Sequence, residues 1–281
     1  MSGALSNGTA QVSTPPGTAA RDANLPSLEC RDLHVRLTGS SGAVDILKGV
    51  DLTIAPGEFV SVLGASGTGK TTLLRVLGGL TPSSGGEVRS GGRVVDGPPD
   101  GVVTVFQDYT NSLLPWRTVR RNVALGIEDQ LSRSECAERV DEVLDMVSLS
   151  ASAGEYPSRL SGGMQQRVQI ARALAMRPSV LLMDEPFGAL DAMTKASLQD
   201  QLQNVQTLTG TTVVFVTHDV EEAVYLSDRV VVLSGRPASV GLELDIPLGR
   251  PREQIATKET PEYLDLRHQV YAALGHGVAA R

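Results

Sequence analysis

The stretch Gly64-Ala65-Ser66-Gly67-Thr68-Gly69-Lys70-Thr71 constrains the fold more than any other, because of what stands on either side of it. Before it lies a short apolar run, Phe59–Leu63, and after it an apolar segment at helical spacing, Leu73–Leu77. The octet fits GxxxxGK followed by Ser or Thr, and the strand–loop–helix context is the one that gives this pattern a mechanism. Glycines permit a tight turn that aims successive backbone N–H groups inward, and the following helix adds the positive end of its dipole. Lys70 then reaches the β- and γ-phosphates of a nucleotide, and Thr71 ligates magnesium. A glycine-rich turn that binds nothing needs neither neighbour, so the chain is expected to cradle a triphosphate.

A strand that feeds such a loop belongs to a parallel sheet, and the rest of the chain supplies the partners. FVSVL (Phe59–Leu63), VLLM (Val180–Met183), VVFV (Val213–Val216) and VVVL (Val230–Leu233) are apolar on both faces, as strands in a covered parallel sheet are. Leu28–Leu37 and Asp51–Ile54 also read as strands, punctuated by Gly39, Gly42, Pro56 and Gly57; Gly39–Gly42 and Ser83–Gly92 read as turns. Between Val119 and Ala175 the spacing is mostly helical. Ser132-Arg133-Ser134-Glu135 has the form of a capping box, with Cys136, Val140, Val143, Leu144 and Val147 on one face after it, so Cys136 reads as packing. Pro261 opens a terminal helix over Thr260–Leu274 with Leu264, Leu266, Val270, Tyr271 and Leu274 as its apolar side.

Two further stretches carry chemistry. Asp184 and Glu185 end the run Val180–Met183, at the carboxyl edge of the sheet where ligands bind in such folds. In that place Asp184 holds the magnesium shell and Glu185 polarises an attacking water as general base; the bland reading is a solvated acidic turn. Leu160-Ser161-Gly162-Gly163-Met164-Gln165-Gln166-Arg167 opens a helix continued by Val168, Ile170, Ala171 and Leu174. Alone, this is a helix capped by Ser161.

Together with the phosphate loop, Gln107 after Val102–Phe106, Gly188-Ala189-Leu190-Asp191, and His218 in Val216-Thr217-His218-Asp219, the LSGGMQQR stretch resembles the signature of the ABC ATPases, in family order from about Leu28 to Leu233. The resemblance implies an α/β P-loop ATPase core with an antiparallel β subdomain and a helical signature subdomain. It places the ATPase domain at 28–245 with its helical subdomain at about 111–165, and a C-terminal helical extension at 246–281; residues 1–27, rich in Ser, Thr, Gly, Ala and Pro without periodicity, read as a disordered tail. It implies nucleotide contacts at Gly64, Ala65, Ser66, Gly67, Thr68, Gly69, Lys70, Thr71, Thr72, Ser161, Gly162, Gly163, Gln165 and Asp191. Magnesium falls to Thr71, Gln107 and Asp184, and the catalytic set is Glu185, His218, Lys70 and Gln107. Two copies would meet head to tail, Ser161 and Gly163 of one closing on the γ-phosphate held by Lys70 of the other, with Asp191 coupling the two sites. Leu37 stands where the family usually stacks an aromatic residue on adenine.

LLPWRTV (Leu113–Val119), Asn122-Val123, MDEPFGALDAMTK (Met183–Lys195) and VTHDVEEAVYLSDRVVVLSGRP (Val216–Pro237) are similar to bacterial importers of the nitrate, sulfonate, taurine and bicarbonate group. The implied partners are a second ATPase subunit, transmembrane permease subunits and, indirectly, a solute-binding protein, at the cytoplasmic face of the membrane. The segment Leu113–Trp116 reads equally as core filling and as a contact with the permease. No apolar run reaches the roughly 20 residues that cross a bilayer as a helix, so an exporter fused to membrane helices does not fit. A net charge of -7 and a pI near 5.2 exclude a generally basic, nucleic-acid-binding surface. Cys30 and Cys136 form no CxxC pair, which leaves no zinc or disulfide framework and suits a reducing compartment. The rival reading is a non-transport ABC ATPase acting as a nucleotide-driven clamp; two ATPase modules, a long coiled coil or a basic surface would favour it, and the chain has none of these.

Overall fold

The computed structural model describes residues 27–39, 42–107, 112–188 and 190–275. Residues 1–26 of the expected N-terminal tail and Ala189 lie outside the described residues, whereas Ser27 is described and donates its amide to Ile54 O at 2.9 Å.

In chain order the elements are β1 (Leu28–Gly39), β2 (Gly42–Ile54), β3 (Phe59–Leu63), α1 (Lys70–Leu77), β4 (Gly85–Ser90), β5 (Arg93–Val94), β6 (Val102–Val105), α2 (Val119–Ala124), α3 (Arg133–Met146), α4 (Gly162–Ala175), β7 (Val180–Asp184), α5 (Ala192–Thr209), β8 (Thr212–Val216), α6 (Val220–Leu226), β9 (Arg229–Gly235), β10 (Ala238–Asp245) and α7 (Pro261–Ala273). The strands join in one sheet, ordered β5-β4-β1-β2-β10-β9-β3-β8-β7-β6. The five from β9 to β6 are parallel, and β1, β2, β4 and β5 pair antiparallel. The α/β core and the antiparallel part expected from the sequence are both present.

Period-2 alternation explains why the central strands are apolar throughout. Phe59, Leu63, Leu181, Met183, Val213 and Phe215 face a core built with α2 to α7. Val60, Val62, Val180, Leu182, Val214 and Val216 face a second core with α1, β1 and β2. Phe215 packs its ring 5.9 Å from Phe59 and 5.5 Å from Phe187.

Three expectations need correction. Ser83–Gly92 is not merely a turn: it contains β4, which pairs along β1 from Leu28↔Ser90 to His34↔Gly85. The second strand starts at Gly42 rather than Asp51; its first four residues are exposed, and Leu47 and Val50 are the first to be buried. On α7 the buried anchors are Tyr263, Leu266 and Val270, whereas Tyr271 lies on the exposed side. The capping box on α3 is present as expected, with Ser132 and Glu135 exchanging bonds and Val140, Val143 and Leu144 buried. Among the described residues no helix is long and apolar enough to cross a membrane.

Candidate functional site

Sheet register assembles the site. Val62 pairs with Val216, Asp184 also pairs with Val216, and Val105 pairs with Met183. Four parallel strands therefore end at one level, and the residues that follow them, Gly64, Thr217-His218, Glu185 and Gln107, emerge along one carboxyl edge. This is the crevice position of open α/β sheets.

The loop between β3 and α1 is held from several directions. The backbone turns left-handed at Gly67 and Gly69, with φ +77 and +89. A Cβ at Gly69 would meet Ile46 Cγ2 at 2.7 Å, so only glycine lets β2 press against the loop. Thr68 Oγ1 donates to Ala65 O at 2.9 Å, and the ammonium of the buried Lys70 donates to Gly64 O at 2.9 Å and Ala65 O at 3.3 Å. Burial pulls the Lys70 pKa below the ordinary lysine range, and the nearby carboxylates of Glu185 and Asp184 pull it back. Thr71 and Thr72 continue into α1. Arg236, in the β9–β10 turn, donates to Ser66 O at 3.2 Å and lies over the loop; no local pattern marked it.

Beside Lys70, Asp184 is buried, which raises its pKa, while a hydrogen bond with the Thr71 side chain opposes the rise. Hydroxyl and carboxylate oxygens are the donors that Mg²⁺ takes, and the cationic cradle next to them fits a polyphosphate, so the residues present fit both groups.

Glu185 adopts φ +44, a left-handed conformation rare for a residue with a Cβ. Its amide donates to Val216 O at 2.9 Å, which ties it to the end of β8. Its Oε2 accepts from Gln107 Nε2 at 3.2 Å and lies 3.2 Å from His218 Nδ1. Three residues separated by 78 and 33 positions thus meet at one carboxylate oxygen. Gln107 and His218 are solvent-exposed, so the cluster opens outward.

The signature stretch lies on a different part of the chain. Ser161 caps α4 through Met164 N at 3.3 Å, followed by Gly162 and Gly163. A Cβ on Gly163 would meet Thr194 Cγ2 at 2.8 Å, which brings the start of α4 against the start of α5. Gln165 donates to Pro157 O at 3.0 Å and Leu160 O at 3.3 Å, bracing its own loop. Asp191 caps α5, accepting from Met193 N at 3.1 Å and Thr194 N at 3.0 Å; the Thr194 side-chain bond leads in holding its carboxyl below the usual range. Among the described residues no hydrogen bond or ion pair joins residues 161–165 to 64–72.

The segment before α2 is organised by a residue the sequence marked without a role. Asn122, fully buried, donates to Leu114 O, Arg117 O and Thr118 O and accepts from Leu114 N. Arg172 of α4 donates to Asn122 Oδ1 at 2.7 Å and Ser112 O at 2.7 Å. Of the apolar stretch, Leu113 fills the core whereas Trp116 is 71% exposed, so core filling accounts for only part of it. Residues 108–111 of this segment lie outside the described residues.

Comparison with known proteins agrees with this geometry. The family model described as ABC transporter matches residues 47–188. The nitrate import ATP-binding protein NrtC of Synechococcus elongatus is 52% identical over 229 residues, 80% of this chain; the chain spans 34% of that protein's length. The bicarbonate transport ATP-binding protein CmpD of the same species is 45% identical over 231 residues, covering 81% of this chain and 82% of CmpD. The solved dimer of the ATP-binding cassette MJ0796 bound to ADP and Pi superposes with a TM-score of 0.70 at 33% identity, covering 79% of this chain and all of that one. A match of this extent, on a chain whose strand ends bring the same ordered landmarks to one edge, leaves a single conclusion: the chain belongs to the ABC transporter family.

Proposed function

We propose that the chain is the ATP-hydrolysing subunit of an importer for a small solute, working as a pair on the cytoplasmic side of transmembrane permease subunits. The observation that carries this is the convergence of Gln107 and His218 on Glu185 Oε2, beside the Lys70 cradle.

In this reading the backbone of residues 64–69 and the start of α1 bind the phosphates of ATP, and Lys70 leaves its loop carbonyls for the β- and γ-phosphates. Thr71 and Asp184, with Gln107, would hold Mg²⁺, which when bound neutralises phosphate charge. Glu185 accepts the proton of the attacking water as its oxygen approaches the γ-phosphorus; His218 orients that water and contacts the γ-phosphate. The products are ADP and phosphate. Ser161 and Gly163 of a second copy supply the helix start that completes the γ-phosphate site. The absence, among the described residues, of a hydrogen bond or ion pair between residues 161–165 and the phosphate loop, and the dimeric form of MJ0796, support pairing. Gln165 and Asp191 keep roles at that junction, bracing the signature loop and starting the helix next to Gly163.

Within this reading residues 28–245 form the ATPase domain, about 111–165 its helical subdomain, and 246–281 the C-terminal extension. The exposed Trp116, on a loop pinned by Asn122, supports a contact surface for the permease. The names of NrtC and CmpD point to nitrate or bicarbonate as cargo; sulfonates and taurine belong to the same importer group.

The test is magnesium-dependent ATP hydrolysis and ATP-driven pairing of the full chain against Glu185→Gln, with permease subunits supplied. Hydrolysis should fall about 10²- to 10⁴-fold, the range of a lost general base, while the variant accumulates as an ATP-bound pair. Full activity in the variant would end the assignment of Glu185, and a wild type with no hydrolysis would end the ATPase reading.

A further inference from the structure

We propose that Lys195 is a positioning residue for His218, clamping the two acidic side chains that hold the histidine's backbone; this rests on the ATPase reading above.

His218 has little to hold it. Its side chain is two-thirds exposed, and its recorded polar contact is with Glu185. What fixes it is the backbone on each side. Thr217 N donates to Val62 O at 3.2 Å, and Asp219 N donates to Thr217 Oγ1 at 3.0 Å, so a small turn closes around the histidine. Thr217 Oγ1 in turn donates to Glu222 Oε2. Asp219 caps α6 by accepting from Glu221 N at 2.8 Å and Glu222 N at 3.3 Å. The turn thus depends on where two carboxylates sit, those of Asp219 and Glu222.

A single ammonium holds both. Lys195 Nζ lies 2.6 Å from Asp219 Oδ2 and 2.7 Å from Glu222 Oε1. The Glu222 side chain is only 5% exposed. Two carboxylates this close repel unless a cation lies between them, and burial sharpens the repulsion. Without Lys195, Asp219 would swing toward solvent or Glu222 would take up a proton, and either event loosens the turn that carries His218.

Lys195 is itself rigidly placed. It is the fourth residue of α5, its amide donates to Asp191 O at 2.9 Å, and Asp191 caps that helix. A continuous chain of bonds therefore runs from Asp191, at the end of α5 that touches Gly163, through Lys195 to Thr217 and His218. A shift of α5 reaches the histidine of the same chain by this route. Glu221, in the same first turn of α6, is held independently, accepting from Tyr263 Oη at 2.6 Å and Arg267 at 3.0 Å. Loss of Lys195 should therefore loosen the turn at Thr217–Asp219 while α6 stays docked.

The experiment measures kcat and KM for Mg-ATP hydrolysis by the full chain with its permease subunits, for wild type, Glu185→Gln, Lys195→Met, Lys195→Arg, His218→Ala and the double variant Lys195→Met/His218→Ala. Lys195→Met should lower kcat about 10- to 100-fold, the scale of a misplaced catalytic group, and leave KM within about 2-fold. Lys195→Arg should recover most of the loss, because it keeps a cation between the carboxylates. In the His218→Ala background the lysine substitution should have no further effect, which a purely structural residue would not obey. The proposal is overturned by wild-type kcat in Lys195→Met, by an equal further loss in the double variant, or by a Lys195→Met chain that does not fold. A wild type that fails to hydrolyse ATP would instead remove the ATPase reading and this proposal with it.

Discussion

Replacing Arg252 with Met tests whether the C-terminal extension holds the helix that follows His218. The helix α6 ends at Leu226, and the last carbonyls of any helix lack partners along it. Arg252 reaches them from 25 to 28 positions downstream: one guanidinium nitrogen donates to Val224 O at 3.3 Å, Tyr225 O at 2.9 Å and Ser227 O at 2.9 Å. The other donates to Leu248 O at 3.1 Å, so the same side chain ties α6 to the segment after β10. The group is buried with no carboxylate bonded to it among the described residues, and burial pulls its pKa down to about 10. Tyr225 O keeps a partner in Gln203 Nε2 at 3.0 Å when the arginine is lost, but Ser227 O and Leu248 O have no such reserve among the recorded bonds. Two hydrogen bonds to a charged donor contribute about 3–6 kcal/mol together. Relief from burying a charge offsets about 1–2 kcal/mol when an apolar chain of similar length takes its place. The net loss is about 1–5 kcal/mol, which for a chain of this size lowers Tm by roughly 2–20 °C. Circular dichroism melts of the full chain measure it, with Arg252→Lys expected in between. ATP hydrolysis should fall in step at temperatures where the wild type remains folded. A loss below about 1 kcal/mol would place Arg252 among ordinary surface substitutions and refute the capping argument.

Three other outcomes follow from the structure. Burial, then the charges of Asp51 and Glu29, push the Cys30 thiol from 9.0 up to about 12, so a thiol reagent at pH 8 should label Cys136 in the native chain and Cys30 only after denaturation. Because the folded thiol keeps its proton while the unfolded one loses it, this group's contribution to stability is whole below pH 9.0 and declines toward about 12; Cys30→Val should flatten the decline, and an unchanged slope would contradict it. Leu37 on β1 is 41% exposed where the family offers an aromatic ring, so Leu37→Tyr should tighten ATP binding about 2- to 10-fold through stacking. Calorimetry with tripolyphosphate as control decides the point, since an equal gain for a ligand without a base would rule stacking out.

What could be read from the chain directly was chemistry carried by contiguous residues. The octet Gly64–Thr71 needs its residue types at adjacent positions, because one turn of backbone must surround one phosphate group. The central strands announced themselves because both faces are covered, and α3 because its capping box is written within four residues. Family order then named Gln107, Glu185 and His218 as one set, but their meeting at a single oxygen depends on the register of β3, β6, β7 and β8, which no one of those segments contains. The strand β4, between β5 and β1, stayed hidden because a six-residue segment rich in glycine and charge has no apolar alternation of its own. Lys195, Asn122, Arg172 and Arg252 look like ordinary polar residues locally, and their work is done on partners far away in the chain or on backbone carbonyls that any residue type would present. Local sequence marked the residues proposed to handle phosphate, magnesium and water, because those ligands are smaller than a turn. Only the tertiary structure decided how the handling residues are held in place, because the groups that hold them come together through folding and carry no signature of their own.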